Sequence, residues 1–476
     1  MAEGGDPVPR LSIGEKGCES LFRTDSNPGD RVMKRLYLPL EIVVRELDSK
    51  MLLACEAANN GWFVTVGSKR SVFRAIDKNG PGVVLVKSLT ESESGQFARY
   101  RRRGCKVVSL DEEGVVTYPE FLTSSIRYSD KTACQADKIY FWGAEQQQYF
   151  NKALPQYKKK GQVTGSPRVD FWRNFAKPVY ASKAQYLRSE YGEYIFFATS
   201  FGIANHYQGG DVGLTSTLAL FRGLSPELKR FIDNQWLFNR AVFEEYLEAI
   251  DELAAELAKV GLNLVIRPHP SESQDQWVSL SQRHDNVFVE YEGSVTAWIL
   301  GARALVHFKS TTALEAYFMG TPCITYVPPM PEAFDRFELK VPNSVSKVCS
   351  SREDFIQTCL LEPSTHCETE DKTVLQGWIH DSSDSSSKTL VHALPDYSGE
   401  NRGRLNWLDI FESDRSIKTL IRNMLVKNKS YGRHKTEGLD PVLALKIVCE
   451  FNRVKTSKVR LNQFGDLFIL SSSDDL

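Results

Sequence analysis

No Cys-x-x-Cys pair occurs in this sequence, and its nine cysteines are scattered. That pattern excludes a zinc-ribbon framework and speaks against a disulfide one; it fits a reducing compartment. Nowhere is there an apolar run near the ~18 residues that a membrane-spanning helix needs. Residues 1–30 are polar and lack the apolar core of a signal peptide, so the expected location is the cytoplasm. Neither sign of charge is in surplus: 59 Lys plus Arg against 60 Asp plus Glu give a formal net charge of -1. Without a global basic field, nucleic acid is not an expected partner. The local basic cluster of Arg99, Arg101, Arg102 and Arg103 reads as a solvated helix end. Internal repeats of short period are absent as well.

What the sequence does have is alternation. Apolar runs of strand type are predicted at 35–40, 61–67, 82–87, 105–110, 139–143 and 162–165, with helical patterns at 48–59, 69–78 and 91–103. A helical connector follows at 172–192. A second set has strands at 194–199, 262–266, 286–289, 304–308 and 322–327, with long helices within 227–260. Strands alternating with helices predict βαβ units and parallel sheets. The 476 residues suffice for two or three domains. The expected fold class is therefore α/β: two Rossmann-like domains facing a cleft, with a C-terminal helical extension. The expected divisions are a flexible lead-in at 1–33, an acceptor-side domain at 34–175 and a nucleotide-side domain at 190–362. A polar loop or insertion follows at 363–401, and a helical extension with a frayed tail from Leu467 at 402–476.

Several motifs lie where predicted strands stop, which is where open α/β sheets bind ligands. One such run ends in Arg267-Pro268-His269-Pro270. Arg267 can neutralise a phosphate, His269 can bond or protonate it, and the prolines stiffen the loop. Another ends in Lys309-Ser310-Thr311-Thr312, with a helical pattern immediately after. Hydroxyls and unpaired N–H groups at a helix start suit an anion, although an ordinary N-cap reads the same way. Thr312 and Glu315 have capping-box spacing, and Glu315 is also placed to accept ribose hydroxyls. In the first half, Asp111-Glu112-Glu113-Gly114 follows a strand. Like charges crowded together raise one pKa, as a general base for a sugar hydroxyl requires. Arg168 and Asp170, in Gly165-Ser166-Pro167-Arg168-Val169-Asp170, read as a structural ion pair. His206 and Asp211 flank a glycine-bearing loop and are lesser candidates.

Together these pieces resemble the GT-B glycosyltransferases. More narrowly, they resemble bacterial surface carbohydrate biosynthesis proteins related to capsule and lipopolysaccharide transferases that use CMP-activated acidic sugars. His269-Pro270 is similar to the His-Pro motif of the sialyl- and Kdo-transferases, Ser310-Thr311 to their Ser/Thr phosphate motif, and Asp111-Glu112-Glu113-Gly114 to their acidic motif. Gly165-Ser166-Pro167-Arg168 and Gly320-Thr321-Pro322 are similar to GT-B turns. The resemblance implies a cytoplasmic glycosyltransferase of surface polysaccharide assembly. It further implies a CMP-sugar donor such as CMP-Kdo as substrate, a glycan or lipid-linked acceptor, and peripheral contact with the inner membrane or an assembly complex. Arg267, His269, Pro270, Ser310, Thr311, Thr312 and Glu315 would hold the nucleotide. Asp111, Glu112 or Glu113 would be the base, with no cofactor and no metal required. CDP-glycerol transferases also carry Arg-x-His-Pro, so a polyol-phosphate transferase stays open. UDP-GlcNAc 2-epimerases share the glycine-rich turns but have glycines where this chain has Ser310-Thr311-Thr312, which disfavours that class while leaving a UDP-sugar 2-epimerase as an alternative on the same fold. A non-catalytic scaffold on the same fold is the remaining alternative.

Overall fold

A computed structural model describes residues 34–115, 120–209, 212, 214–215, 226–331, 340–361, 372–380, 384–397, 439–464 and 466–472. The expected lead-in, Asp211 and residues 401–438 lie outside the described residues.

The first half is built on β1 (Lys34–Leu40), β2 (Trp62–Ser68), β3 (Val83–Val86), β4 (Lys106–Leu110), β5 (Lys138–Phe141) and β6 (Gly161–Val163). These strands are mutually parallel, with registers such as Leu38 beside Val66 and Leu85 beside Val108. β1 is buried along all but its first residue, as the continuous apolar runs of a sheet covered on both faces require. Helix Val43–Asn59 covers one face with Leu47, Met51, Leu53 and Ala57, all buried. The second half holds β7 (Tyr194–Ala198), β8 (Asn263–Arg267), β9 (Val287–Val289), β10 (Ala304–His307), β11 (Cys323–Tyr326) and β12 (Lys347–Cys349). They form a six-stranded parallel sheet in the order β12-β11-β10-β7-β8-β9. The short strand β12 was not foreseen. Helix Pro226–Lys259 covers one face, burying Val242, Tyr246, Ile250, Leu253 and Leu257.

Two Rossmann-like α/β halves of this kind constitute the GT-B arrangement. Each strand order reverses once. In the first sheet the chain runs from β1 out to β2, then returns to β3 on the other side of β1. In the second it runs from β7 to β8 and β9, then returns to β10 on the other side of β7. A crevice opens at the carboxyl ends of strands wherever such a reversal occurs, because adjacent connections leave on opposite faces.

The C-terminal part departs from expectation. The predicted tail is a strand: β14 (Leu467–Ser472) pairs antiparallel with β2, and β13 (Val459–Phe464) pairs antiparallel with β14. The first sheet is thereby eight-stranded, in the order β13-β14-β2-β1-β3-β4-β5-β6. Phe468 and Leu470 are fully buried, each stabilising by roughly 1.5–3 kcal/mol relative to exposure. The Ser-Ser-Ser-Asp-Asp ending concealed the short apolar run Leu467-Phe468-Ile469-Leu470 before it. Helix Pro441–Lys455 packs Ala444, Ile447 and Phe451 inward, with Phe451 stacked on Phe175 at 6.4 Å. The predicted polar loop also contains structure. Helices Lys372–Trp378 and Ser386–Ala393 return to the first half, where the Tyr140 hydroxyl donates to Ala393 O at 2.6 Å. Among the described residues, no helix is long and apolar enough to cross a membrane.

Candidate functional site

Three loops of the second half meet at the carboxyl ends of β7, β8 and β10, neighbours in one parallel sheet. After β8, Pro268 and Pro270 fix the backbone, and Glu272 N–H donates to His269 O at 2.8 Å to close a turn. After β7, Thr199 Oγ1 accepts from His269 N–H at 3.0 Å. The Ser200 hydroxyl ties the same loop to Phe308 O beyond β10. The β7 loop approaches the turn closely at Gly202, where a Cβ would meet Ser271 Oγ and force that hydroxyl to move.

Beneath the turn lies a residue that sequence reading missed. Glu272 is buried and accepts from Thr199 Oγ1 (2.7 Å), Phe201 N–H (2.6 Å) and the Trp277 indole N–H (3.2 Å). Burial pushes its pKa up to about 7 against the pull of those donors. It sits three residues after His269, and an acid after a His-Pro turn has no periodicity to mark it. His206, one of the lesser candidates, lies in an isolated bridge with Glu272 and serves to pack the β7 loop against this turn.

His269 is held in one tautomer. Its Nδ1 accepts from Ser271 N–H at 3.2 Å and lies 2.7 Å from Ser271 Oγ. A backbone N–H can only donate, so the neutral ring carries its proton on Nε2, which has no partner among the described residues. His269 is exposed at the turn; partial desolvation by its neighbours lowers the imidazole pKa, Arg45 lowers it further, and Glu113 opposes. The ring is therefore neutral at physiological pH, and it senses charges carried by the first half.

The β10 loop turns on Lys309, whose φ of 52° is left-handed for a residue with a side chain. Ser310 Oγ then accepts from Thr312 N–H (3.3 Å) and from the Thr312 hydroxyl (2.8 Å). Thr311 is the N-cap of helix Thr312–Met319 and makes no side-chain cap bond. Its hydroxyl and N–H have no partner among the described residues, at the end of the helix that favours anions. The capping-box pairing of Thr312 with Glu315 does not form. Glu315 is buried and accepts from the Thr296 hydroxyl instead, and burial raises its pKa against Thr296, Arg168 and Arg267. Arg267 also differs from expectation. Its Nη1 and Nη2 donate to Glu292 O (2.9 Å) and Gly293 O (2.7 Å), so its fork holds the chain after β9 rather than facing an anion.

In the first half the three acids after β4 take separate paths. Glu113 is clamped by Arg45 Nη1 (2.7 Å) and Arg127 Nη2 (2.8 Å). Burial works to raise its pKa, but the two arginines outweigh it and hold the carboxyl down at about 2. Glu112 is buried against Lys50 at 3.4 Å, which also pairs with Glu46 at 3.1 Å and donates to Pro39 O at 2.7 Å. Burial raises Glu112, opposed by Lys50. Asp111 is buried too. Its Oδ1 accepts from Glu113 N–H (2.9 Å) and faces Arg127 (3.4 Å), while Oδ2 has no partner among the described residues. Burial raises Asp111 against Arg127. Desolvation and individual cations thus set these groups apart, with repulsion from Glu113 on Asp111 and from Glu46 on Glu112 adding a smaller upward push. The predicted Arg168–Asp170 pair is replaced by two separate roles. Asp170 accepts from Ser386 N–H (3.0 Å) and Ser387 N–H (2.6 Å) at the start of a helix, while Arg168 turns toward Glu112.

No family model and no curated protein sequence matches the chain. Among solved structures it is similar to the UDP-GlcNAc 2-epimerase of Methanocaldococcus jannaschii in complex with UDP-GlcNAc and UDP, at 12% identity over 76% of this chain and 98% of that one, TM-score 0.44. The epimerase of Rickettsia bellii gives 11% over 76% and 96%, TM-score 0.45. Anabaena HepE in complex with UDP and glucose gives 11% over 75% and 94%, TM-score 0.35.

Proposed function

We propose that this protein is a nucleotide-sugar-dependent glycosyltransferase, with its donor in the crevice beside β7. The observation that carries the reading is the His269 imidazole. Its lowered pKa favours the neutral ring, Ser271 fixes it with Nε2–H lacking a partner among the described residues, and it lies within electrostatic reach of the Arg45–Glu113 pair of the other half. A phosphate oxygen placed there would accept from His269 Nε2 and from Thr311 N–H and Oγ1, with the helix dipole adding to the attraction. As the glycosidic bond breaks, negative charge builds on that phosphate, and fixed donors stabilise it without reorganising.

The acceptor hydroxyl needs a base on the opposite side. Glu113, held at about 2, is the weakest base of the three acids. Glu112 faces Lys50 in the interior. Asp111 fits best, since burial raises it and its Oδ2 has no partner among the described residues. The donor favoured by the sequence resemblance is a CMP-activated acidic sugar such as CMP-Kdo, with a glycan or lipid-linked acceptor in surface polysaccharide assembly. A UDP-sugar enzyme on the same fold, including a 2-epimerase, is the competing reading.

A ligand that binds only the folded protein raises its melting temperature by mass action. The test is a melting series with CMP, CDP, UDP and GDP on the wild type and on His269→Ala. A rise with CMP that His269→Ala abolishes is the expected result. A rise with UDP alone turns the assignment to a UDP-sugar enzyme, and product formed without acceptor specifies an epimerase. No rise with any nucleotide defeats the proposal. Asp111→Asn should then lose transfer by about a hundredfold or more while keeping the nucleotide-induced rise.

A further inference from the structure

Arg168 is buried, with 8% of its surface exposed, yet it forms no ion pair within 4.0 Å among the described residues. Its Nη1 donates to a carbonyl, Glu112 O, at 2.9 Å. Its guanidinium lies over the Trp172 ring at 4.9 Å, and Trp172 stacks on Phe318 of the second half at 6.3 Å. Flat packing against an indole fixes the plane of the fork. The remaining donors, Nε and Nη2, have no acceptor among the described residues. Unlike Nε of Arg35 and Arg45, they are not among the polar atoms sealed from the surface without a partner. Around them stand Arg45, Glu112 and Glu113 from the first half and Glu315 from the second, all close enough to act on the charge. Burial, with Arg45 adding to it, leaves Arg168 below its ordinary pKa despite the three carboxylates. A cation that is desolvated, stacked and short of acceptors is costly in the empty protein, unless an anion arrives to complete it.

We propose that Arg168 is a ligand-binding residue whose open Nε–Nη2 edge takes an oxyanion of the bound donor in the cleft between the two halves. The edge presents two parallel N–H donors, the geometry that grips a carboxylate or a phosphate at two oxygens. In an acidic-sugar donor that oxyanion is the sugar carboxylate; in other donors it is a phosphate. The inference rests on the nucleotide-sugar reading for the identity of the ligand, and its test separates the two.

Arg168→Gln and Arg168→Lys are compared with wild type and His269→Ala in binding titrations with CMP, CMP-N-acetylneuraminate, UDP and inorganic pyrophosphate. Arg168→Gln is expected to weaken the affected ligand by at least about tenfold, with Lys recovering only part because it lacks the fork. Weakening of CMP-N-acetylneuraminate but not CMP assigns the sugar carboxylate; equal weakening of both, or of UDP, assigns the phosphate. Unliganded Arg168→Gln should melt at or above the wild-type temperature, since it removes an under-paired buried charge. If it melts several degrees lower and binds every ligand as wild type does, Arg168 is a structural strut and the proposal is overturned. If His269→Ala weakens a nucleotide while Arg168→Gln does not, the nucleotide reading stands and Arg168 falls. If no nucleotide binds but pyrophosphate does so through Arg168, the oxyanion site stands and the nucleotide reading falls. If nothing binds, both fall.

Discussion

The two halves of the cleft solve opposite problems. The first half brings Arg45, Lys50 and Arg127 against Glu46, Asp111, Glu112 and Glu113 and pairs nearly all of them internally. The second half holds its loops with hydroxyls, N–H groups, the Glu272 and Glu315 carboxyls and the Arg267 fork, and leaves His269 Nε2 and the Thr311 donors without a partner among the described residues. The first is a charge network that is largely complete when empty. The second is a set of donors awaiting an acceptor. Removing a fully paired group from the first should therefore damage the fold, Asp111 and Arg168, with atoms unpartnered among the described residues, being the exceptions, and removing one from the second should damage binding.

The largest effect should come from Lys50→Ala. It strands Glu46 and Glu112, both buried, and breaking a buried pair by removing one partner costs about 3–5 kcal/mol. Chemical denaturation reads this; a loss under about 1 kcal/mol would mean that the first-half network is not what holds the acids. Next is Glu272→Ala, the exception on the second side, because it leaves Thr199, Phe201 and Trp277 donors without their acceptor. A loss of about 2–3 kcal/mol is expected, along with weaker nucleotide binding as the His269 turn loosens.

The pH dependence is a subtler probe. Because the folded-state pKa of Glu272 is raised to about 7, the native protein holds that proton where the unfolded chain, near its ordinary 4.5, has released it. Its contribution to stability is therefore greatest below about 4.5 and is lost as pH rises towards about 7, then level above. Asp48 follows the same course, raised by burial to about 7 against the Tyr180 hydroxyl. Melting curves from pH 5 to 8 on Glu272→Gln and Asp48→Asn should each show a shallower decline than wild type. An unchanged slope in both would contradict these shifts. Smallest in stability is His269→Ala, expected to lie within about 1 kcal/mol of wild type while nucleotide binding is lost. A large destabilisation would erase the contrast between the halves.

Much of this was legible beforehand because buried parallel strands write themselves as apolar runs and end in loops with recognisable chemistry. The strand ends at Leu110, Arg267 and His307 lead straight to Asp111, His269 and Ser310. What escaped depends on three-dimensional partners. Arg168 looked like half of an ion pair because Asp170 is two residues away, but Asp170 goes to a helix start more than two hundred residues later. Arg267 looked like a phosphate ligand until the carbonyls of Glu292 and Gly293 claimed its fork. Glu315 followed capping-box spacing and chose Thr296. Spacing names the neighbours in sequence and is silent on rivals that arrive from elsewhere in the chain.

The antiparallel hairpin that completes the first sheet has a consequence for how this chain is made. β2 emerges from the ribosome long before the strand that covers its edge, Leu467–Ser472, because the two lie far apart along the chain. The second half, by contrast, lies between those two events as an uninterrupted stretch, from Tyr194 to Leu360, and can fold as a unit during synthesis. The first half must wait with an open edge that another chain could pair with. Stopping translation after Lys455 should therefore yield a protein whose second half is sound and whose first half is prone to self-association.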